Sequence, residues 1–471
     1  MSSIRGSVKN RRRVAHERAK KMVQVHLVVL QIRRVLEMLD SAPHLRINAL
    51  KRTSQASIVV GPDFVLAFSL IDKMTQWKLL LDWYMVHAPL LRFEASGEAR
   101  ALLRILVYHL KIEKLRNEIA EEVMTQLTAY DDEYPTSVQG LIDAMKDIDL
   151  DSHFSDYSSS TYLSIKYSHP KWMVERLLRQ YPKEEVICVL EANNRPDPLT
   201  FRAYGVDRRT LIEELQEEGV SARPTYYHPR IVSVTLNRPI TSLRAFLQGH
   251  FQPQGEMPAF MVDLLGAESG DTILDMCCLP GTKTAFISES MKYGRIDAVD
   301  VDPPEGQRFG DMRRNLSRLN CTLGGSGPTI NYVSSDGRTF NAGTLYDRIL
   351  LDAPCSSLGI LSRHSDARWN RRPEDVDVYI SVQKELLSNC ARMLRTGGTL
   401  VYSTCTLEPG ENEAQVGAFL AQHKNFESVP IDADKIPGDL ITNDGSFYYP
   451  RKWKVDQSIQ TGFAAVLRRI A

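Results

Sequence analysis

Apolar residues in the first third of the chain recur at steps of three and four residues. In residues 25–39 the apolar positions include Val28, Val29, Ile32, Val35, Leu36 and Leu39. The stretch Ala101–Ile112 repeats this spacing, which places apolar side chains on one face of a helix. Residues 23–150 are therefore predicted to form an all-α domain.

From residue 271 onward, short apolar runs alternate with amphipathic stretches. The predicted strands are Thr272–Met276, Arg295–Asp300, Arg348–Asp352 and Thr399–Ser403, and the predicted helices are Thr284–Met291, Arg308–Leu319 and Val376–Leu394. This alternation is typical of a doubly wound parallel sheet, whose ligands bind beyond the carboxyl ends of the strands. We expect an α/β domain over residues 249–471, with its chemistry directly after each strand.

The region between these two domains changes character twice. Residues 131–156 contain eight carboxylates and one lysine, which is typical of a solvated boundary, and we predict a linker over residues 151–165. Residues 166–248 combine a helix-like stretch at 209–216 with short β-rich runs such as 231–236. This mixture predicts a small α+β module.

Composition narrows the class of protein. Of 471 residues, 43% are apolar and 25% are charged, which is average globular usage and argues against a disordered chain or a disulfide scaffold. Apolar runs such as Phe64–Leu70 are too short to cross a bilayer. We expect a soluble protein with no membrane partner.

Charge is balanced overall but not locally. The chain has 58 basic and 58 acidic residues, whereas residues 1–22 hold eight basic side chains and one acidic one. Three interpretations of this basic arm stay open: a phosphate-binding segment, a solvated tail without a ligand, and an organelle transit peptide.

The cysteines indicate the compartment. There are seven, an odd number, namely Cys188, Cys277, Cys278, Cys321, Cys355, Cys390 and Cys405. They form no CxxC pair, and none has a histidine at zinc-finger spacing. This favours a reducing, cytoplasmic location and predicts no metal site.

Three strand ends carry residues suited to a nucleotide-like cofactor. The first strand runs into the turn Cys277–Thr284, whose backbone N–H groups can face a ligand, but the turn is not GxGxxG. The second strand ends at Asp300, a carboxylate placed to accept from ribose hydroxyls. Asp336 follows a third strand, Tyr332–Ser334, where an adenine edge would lie. Together they predict an S-adenosylmethionine pocket in a Rossmann-like domain.

Two cysteines follow two further strands. The fourth strand is followed by Asp352-Ala353-Pro354-Cys355, and the next by Thr404-Cys405-Thr406. We expect these strands to be neighbours. A thiol in such a loop, near positive charge, is partly ionised, unlike a buried structural thiol.

These motifs resemble those of the RNA cytosine-5 methyltransferase family, and most closely its bacterial branch that acts on small-subunit ribosomal RNA. The resemblance covers nearly the whole chain. Further matching segments are Ser168–Trp172, Glu191–Asn194, Gly249–Gln252, Arg363–Asp366 with Trp369, and Pro409–Glu413.

The resemblance implies a multidomain architecture: an all-α, NusB-like RNA-binding domain, a small α+β RNA-binding module and a Rossmann-like class I methyltransferase domain. It also implies that S-adenosylmethionine is held by Cys277, Cys278, Leu279, Pro280, Gly281, Thr282, Lys283, Asp300, Asp336 and Asp352. Where the family usually has small residues and a second glycine, this chain has Cys278, Leu279 and Thr282. Their larger side chains predict a narrower cofactor turn.

The catalytic roles also follow from the resemblance. Cys405 matches the nucleophile that adds to carbon 6 of cytosine, because carbon 5 alone is a poor nucleophile. Asp352 would bind the N3 edge, and Cys355 would assist product release. Lys283 lies in the cofactor turn and would also reach the reacting base.

Three functions stay open on the sequence alone. The favoured one is methylation of carbon 5 of a cytosine in small-subunit (16S) ribosomal RNA, through a covalent Cys405–cytosine adduct, by a monomeric enzyme. The second applies the same chemistry to transfer RNA, and the third is an RNA-binding ribosome assembly factor whose catalysis has decayed. DNA is disfavoured as the substrate. The DNA cytosine-5 methyltransferases use the cysteine of a Pro-Cys motif as the nucleophile, whereas this chain also has the Thr404-Cys405 motif.

Overall fold

The structure is a computed structural model that describes residues 25–40, 62–88, 96–129, 138–236, 238–302, 307–321, 327–442, 444–454 and 459–471. The predicted basic arm, residues 1–22, lies outside the described residues. Contacts divide the chain into two units. The first comprises the described residues up to Asn194 together with His364–Asn370, and the second comprises Arg195–Arg363 and Arg371–Ala471.

The first unit is helical, as the apolar periodicity predicts. Its helices are α1 (residues 25–40), α2 (Pro62–Gln76), α3 (Lys78–His87), α4 (Gly97–Lys111), α5 (Asn117–Thr128), α6 (Val138–Met145), α7 (Ser160–Lys166), α8 (Lys171–Gln180) and α9 (Lys183–Asn194). The predicted apolar face of α1 is buried, with Val28, Val29 and Ile32 fully enclosed in the core. None of the described helices is long and apolar enough to span a bilayer.

The contacts do not follow the predicted boundaries at residues 151 and 166. Tyr162 and Leu163, inside the predicted linker, are buried in an apolar cluster with Leu80 and Trp83 of α3. Phe154 and Ile165 of the same acidic, serine-rich stretch are partly buried against this cluster. Residues 151–194 therefore pack within the helical unit.

A small antiparallel sheet opens the second unit. Its elements are β1 (Leu199–Ala203), α10 (Arg208–Glu217), β2 (Ser221–Pro224), β3 (Ile231–Thr235), α11 (Arg244–Leu247) and β4 (Phe251–Pro253). The strand order is β2-β3-β1-β4. Phe201 and Phe251 stack in its core with ring centroids 4.2 Å apart. The strands and α10 confirm the α+β character predicted for this region.

A seven-stranded sheet forms the rest of the second unit. The remaining elements are α12 (Glu256–Leu265), β5 (Thr272–Met276), α13 (Thr282–Glu289), β6 (Arg295–Asp300), α14 (Arg308–Arg318), β7 (Thr329–Ser334), β8 (Tyr346–Asp352), α15 (Ala367–Asn370, in the first unit), α16 (Pro373–Met393), β9 (Leu394–Thr404), α17 (Glu413–Gln422), β10 (Phe426–Val429) and β11 (Phe463–Arg469). The strand order is β10-β11-β9-β8-β5-β6-β7. Strand β11 runs antiparallel to both its neighbours, and the five strands β9, β8, β5, β6 and β7 are parallel to one another.

The strand order reverses beside β5. From β5 the chain winds outward to β6 and β7, then returns to β8 on the other side of β5. Such a switch point leaves a crevice beyond the carboxyl ends of the two central strands. The predicted Rossmann-like domain is confirmed, and its crevice lies between the ends of β5 and β8.

Candidate active site at the carboxyl edge of the sheet

The turn after β5 is shaped by two residues with left-handed backbone conformations. Cys277 has φ +64° and Gly281 has φ +94°. A Cβ on Gly281 would lie 2.5 Å from Met312 Cγ, so only glycine fits there. The tight turn lets α13 begin at Thr282, two residues earlier than predicted, and directs its first turn toward the crevice.

The larger residues of this turn lie against α14. Cys278 and Leu279 belong to an apolar cluster that includes Phe309 and Met312. Burial raises the pKa of the Cys278 thiol far above its usual value, as expected for a structural cysteine. The side chains of Cys278 and Leu279, which were predicted to narrow the turn, thus pack against α14.

Two carboxylates follow the neighbouring strands. Asp300 ends β6, and its carboxylate accepts hydrogen bonds from the backbone N–H groups of Leu279, at 2.9 Å, and Val301, at 2.7 Å. Asp336 follows β7, is 40% exposed, and forms an ion pair with Arg338. The loop that carries Asp336 lies close to β5: a Cβ on Gly337 would be only 2.5 Å from Met276 Sδ. The structure thus joins Asp300 directly to the turn, and brings the Asp336 loop to the end of β5.

Lys283 and Asp352 face each other across the crevice. Lys283 Nζ, on the first turn of α13, donates to Asp352 Oδ2 at 2.5 Å, and the Ser403 hydroxyl donates to Asp352 Oδ1 at 2.8 Å. Burial lowers the pKa of Lys283, but the Asp352 carboxylate outweighs this effect and the pKa is raised overall. Asp352 keeps 31% of its side chain exposed, so a ligand can still reach it.

The two predicted cysteines meet at the ends of adjacent strands. β8 and β9 are paired, as expected, and Cys355 Sγ lies 3.3 Å from Cys405 Sγ. Both are free thiols. The backbone N–H of Cys405 also donates to Cys355 Sγ at 3.4 Å. Cys355 is buried, whereas Cys405 is partly exposed at the crevice.

The contact between the sulfur atoms separates their acidities. The hydrogen bond from Cys355 lowers the pKa of Cys405, although burial and the Asp352 charge oppose it, and Ser357 and Lys283 lower it further. The same contact raises the pKa of Cys355. Cys405 is therefore the more acidic thiol of the pair and Cys355 the less acidic one.

Several residues of the site carried no predicted role. Ser403 orients Asp352, and Gly359 N donates to Cys405 O at 3.0 Å. Glu411 and Asn412 lie in a motif that the resemblance included without a function. Glu411 contacts Ser356, which is 55 residues away in the chain, so neither spacing nor periodicity signals this contact. Among the described residues, no cluster of three or more His, Cys, Asp or Glu side chains is arranged to hold a metal ion.

Comparison with protein families agrees with this geometry. A family model described as 16S rRNA methyltransferase RsmB/F matches residues 262–464, and a model for the ferredoxin-like domain of RsmF/B-like methyltransferases matches residues 169–241. The second match covers the region predicted to hold the small module, and begins within the helical unit.

Individual relatives extend the match. Ribosomal RNA small subunit methyltransferase B of Photorhabdus laumondii is 33% identical over 295 residues, which is 60% of this chain and 66% of that protein, slightly less than two thirds of its length. The protein of that name from Sodalis glossinidius is 33% identical over 303 residues, covering 62% of this chain and 67% of its own.

Solved structures share the fold. The crystal structure of PH0851 superposes with a TM-score of 0.75 at 21% identity, covering 94% of this chain and 99% of that one. A methyltransferase homolog protein from Pyrococcus horikoshii superposes with a TM-score of 0.54 at 25% identity, covering 65% of this chain and 97% of that one.

The seven-stranded sheet with one reversed strand, together with the switch point beside β5, defines the Rossmann-like fold of class I methyltransferases. On the family match and on relatives that are 33% identical over aligned stretches of 295 and 303 residues, the chain belongs to the RsmB/F family of 16S rRNA methyltransferases.

Proposed function

We propose that this protein is an S-adenosylmethionine-dependent methyltransferase that methylates carbon 5 of a cytosine in small-subunit ribosomal RNA. The observation that carries the proposal is the pair of thiols 3.3 Å apart, beside the Lys283–Asp352 ion pair, at the sheet's switch point. The names of the relatives supply the ribosomal substrate.

The residues at the ends of β5 and β6 fit the proposed cofactor. Gly281 keeps the turn free of a Cβ, and the Asp300 carboxylate is held toward the turn by Leu279 N–H. Asp300 would accept from ribose hydroxyls, and the loop at Asp336 would lie along the adenine. When bound, the cofactor supplies an electrophilic methyl group.

Asp352 would recognise the base. A cytosine flipped out of its stack presents its N3 edge, and a carboxylate favours the protonated form of N3. Lys283 and Ser403 each hold one oxygen of this carboxylate, so its orientation is set before the base arrives. Protonation of N3 makes carbon 6 more electrophilic.

Cys405 would then act as the nucleophile. Its thiolate forms a bond to carbon 6, and the electron pair of the C5–C6 double bond moves to carbon 5, which becomes able to accept a methyl group. A base next removes the proton from carbon 5, the double bond re-forms, and the Cys405 sulfur leaves. Cys355 lies close enough to assist this release, directly or through water.

RNA binding outside the crevice would fall to the other parts of the chain. We propose that the helical unit is a NusB-like RNA-binding domain and that the region matched by the ferredoxin-like model is a second RNA-binding module. In the helical unit, a groove lined by Lys114, Lys146 and Asn117 supports the first of these roles, because exposed lysines attract phosphates. We also propose a monomer that works in the cytoplasm, in keeping with seven free thiols.

A methyl-transfer assay tests the proposed function. The full-length protein is incubated with isotopically labelled S-adenosylmethionine and either 16S ribosomal RNA or transfer RNA, and the nucleosides are identified by mass spectrometry. Labelled 5-methylcytidine from ribosomal RNA is the expected product. Label confined to transfer RNA would overturn the substrate, and label on another atom or base would overturn the reaction.

Substitution of the nucleophile sharpens this assay. Cys405→Ala should abolish methyl transfer while cofactor binding, followed by calorimetry, is retained, because the sulfur attacks the base and not the methyl donor. Cys188→Ala is the matched control, since Cys188 is an exposed thiol in the helical unit. Turnover by Cys405→Ala close to that of the control would exclude the covalent mechanism.

A further inference from the structure

The turn that follows Cys405 is tied to both cysteine-bearing loops. It consists of the 3₁₀-helix Pro409–Glu411 and Asn412, which precedes α17. The side chains of Glu411 and Asn412 are both fully buried. A buried carboxylate next to a buried amide calls for an explanation, because each must find partners that replace water.

Glu411 finds its partners in the loop that carries Cys355. Ser356 N–H donates to Glu411 Oε2 at 2.9 Å, and the Ser356 hydroxyl donates to Oε1. Gln383 Nε2, on α16, donates both to Glu411 Oε2 and to Pro354 O, each at 2.9 Å. Glu411 and Gln383 therefore hold the residues on either side of Cys355.

Asn412 finds its partners on either side of Cys405. The Thr404 hydroxyl donates to Asn412 Oδ1 at 2.5 Å, and Asn412 Nδ2 donates to Thr406 O at 3.1 Å. A contact of 2.7 Å between the hydroxyls of Ser356 and Thr406 joins the two loops directly. The turn thus binds both neighbours of Cys405 and one neighbour of Cys355, and Gln383 links it to the other.

Stability alone is a weak reason to bury these groups. A carboxylate taken out of water loses hydration, and burial raises the pKa of Glu411. Apolar side chains of similar volume often stabilise a core at least as well as buried charged groups do. What Glu411 provides is directed hydrogen bonding, since three of the bonds that it accepts end on Ser356 and Gln383.

We propose that Glu411 and Asn412 are positioning residues that set the distance and orientation between the thiols of Cys355 and Cys405. Neither touches the reacting atoms. By fixing the loops that carry the two thiols, they hold the sulfur atoms 3.3 Å apart, close enough for one thiol to donate to the other. The geometric part of this inference stands on the contacts alone, and its catalytic consequence rests on the proposed function.

Thiol reactivity tests the geometric part without RNA or cofactor. The full-length protein and its Glu411→Gln variant are alkylated with iodoacetamide between pH 6 and pH 9, and labelling of the Cys405 peptide is timed by mass spectrometry. Loss of a directed acceptor should loosen Cys355 and lower the alkylation rate of Cys405 at pH 7 by about three- to tenfold, since one pKa unit changes the thiolate fraction about tenfold. The pH midpoint should move up toward that of Cys355→Ala.

Glu256→Gln is the matched control. Glu256 is also a fully buried carboxylate, and it accepts from the backbone N–H groups of Tyr227, at 2.9 Å, and His228, at 2.8 Å. These partners lie in the loop between β2 and β3. This variant should leave the Cys405 profile within about twofold of the wild type, because the backbone groups that Glu256 holds lie outside the loops that carry Cys355 and Cys405.

Asn412→Asp provides a second, independent variant. It keeps the acceptor for Thr404 and loses the donor to Thr406, so Cys405 reactivity should fall less than in Asn412→Ala. Thermal melting identifies any variant that fails to fold. If the variant at one of the two positions does not fold, the alkylation of Cys405 in the variant at the other position tests the inference. A folded Glu411→Gln protein with an unchanged Cys405 profile would overturn the inference.

Methyl transfer separates this inference from the proposed function. In the variants kcat should fall while KM for RNA stays unchanged, because a positioning residue does not contact RNA. If the wild-type protein methylates neither RNA but the Cys405 profile still depends on Glu411, the proposed function fails and the positioning role stands.

Discussion

At the scale of single residues, the site depends on very short distances between groups that are distant in sequence. Cys355 and Cys405 are 50 residues apart in the chain and their sulfur atoms are 3.3 Å apart. Sequence reasoning could place both at strand ends, and the pairing of β8 with β9 confirms that the strands are neighbours. Their assigned roles remain predictions.

Cys355 should be essential for release, whereas its loss should only slow the attack by Cys405. In Cys355→Ala the adduct between Cys405 and cytosine should accumulate, because the assistant nearest to the leaving sulfur is missing. The measurement is a denaturing gel, on which an RNA–protein band should survive. The double variant Cys355→Ala, Cys405→Ala is the control and should give no band. Absence of the band in the single variant would remove this role from Cys355.

Gly359 should not tolerate a side chain. A Cβ at this position would lie 2.8 Å from Cys405 O and 3.0 Å from Thr461 O, and both are backbone atoms that cannot swing away. Gly359→Ala should displace the Cys405 loop and reduce kcat by about tenfold or more, as a shift near 1 Å does in other sites. Gly417→Ala is the control, since nothing lies within 4 Å of its Cβ position. Equal rates in the two variants would contradict the close approach.

At the scale of elements, strand β5 combines a fully buried carboxylate with the start of the cofactor turn. Asp275 lies within β5, and the Thr284 hydroxyl of α13 donates to its Oδ2 at 2.5 Å. Burial raises the pKa of Asp275 to about 7. The bounds of this strand agree with the prediction. The alternation of side chains along a strand does not show that both faces of the sheet are covered, so the sequence did not predict that Asp275 is buried.

This burial predicts a pH-dependent effect on stability. The unfolded carboxyl has a pKa of about 3.9, so between that pH and about 7 the folded chain keeps a proton that the unfolded chain has released, and stability falls as pH rises. Asp275→Asn removes this loss. The unfolding free energy of the variant minus that of the wild type should be about 2–4 kcal/mol larger at pH 8 than at pH 4.5. This figure follows from about 1.4 kcal/mol per pKa unit.

Urea unfolding of both proteins at the two pH values measures this difference. Thr284→Val is the companion variant. It removes a hydrogen bond that lowers the pKa of Asp275, so its own loss of stability between pH 4.5 and pH 8 should be larger than in the wild type. A difference between Asp275→Asn and wild type that is equal at both pH values would show that the carboxyl is not protonated in the fold.

At the scale of the whole molecule, the chain forms two units, and one short segment crosses between them in sequence. His364–Asn370 leaves the second unit along the chain and packs within the first. There Arg368 is fully buried, and its guanidinium donates to Asn194 Oδ1 and Asn193 O, each at 2.7 Å, and to Ser168 O at 3.1 Å. The three acceptor residues, Ser168, Asn193 and Asn194, lie in segments on which the family resemblance rests.

Arg368→Met should destabilise the helical unit selectively. The substitution keeps the apolar stem but leaves buried carbonyl groups without donors, at a cost of about 3 kcal/mol. Hydrogen exchange read by mass spectrometry should show faster exchange in α7, α8 and α9, with the seven-stranded sheet unchanged. Arg179→Met, at an exposed position on α8, is the control and should change neither. Equal loosening in both units would contradict this assignment.

The sequence by itself determined what local pattern can encode. A period of 3.6 gave the helices, alternating strands and helices gave the parallel sheet, and the ends of the strands pointed to the cofactor turn, Asp352 and the two cysteines. Only the tertiary structure decided the boundary between the units and the packing of residues 151–194 and 364–370. It also decided the hydrogen bonds by which Glu411 and Asn412 hold the loops of Cys355 and Cys405. The reason is physical: periodicity reports which face of an element is buried, whereas hydrogen bonds between distant segments depend on where the folded chain brings them.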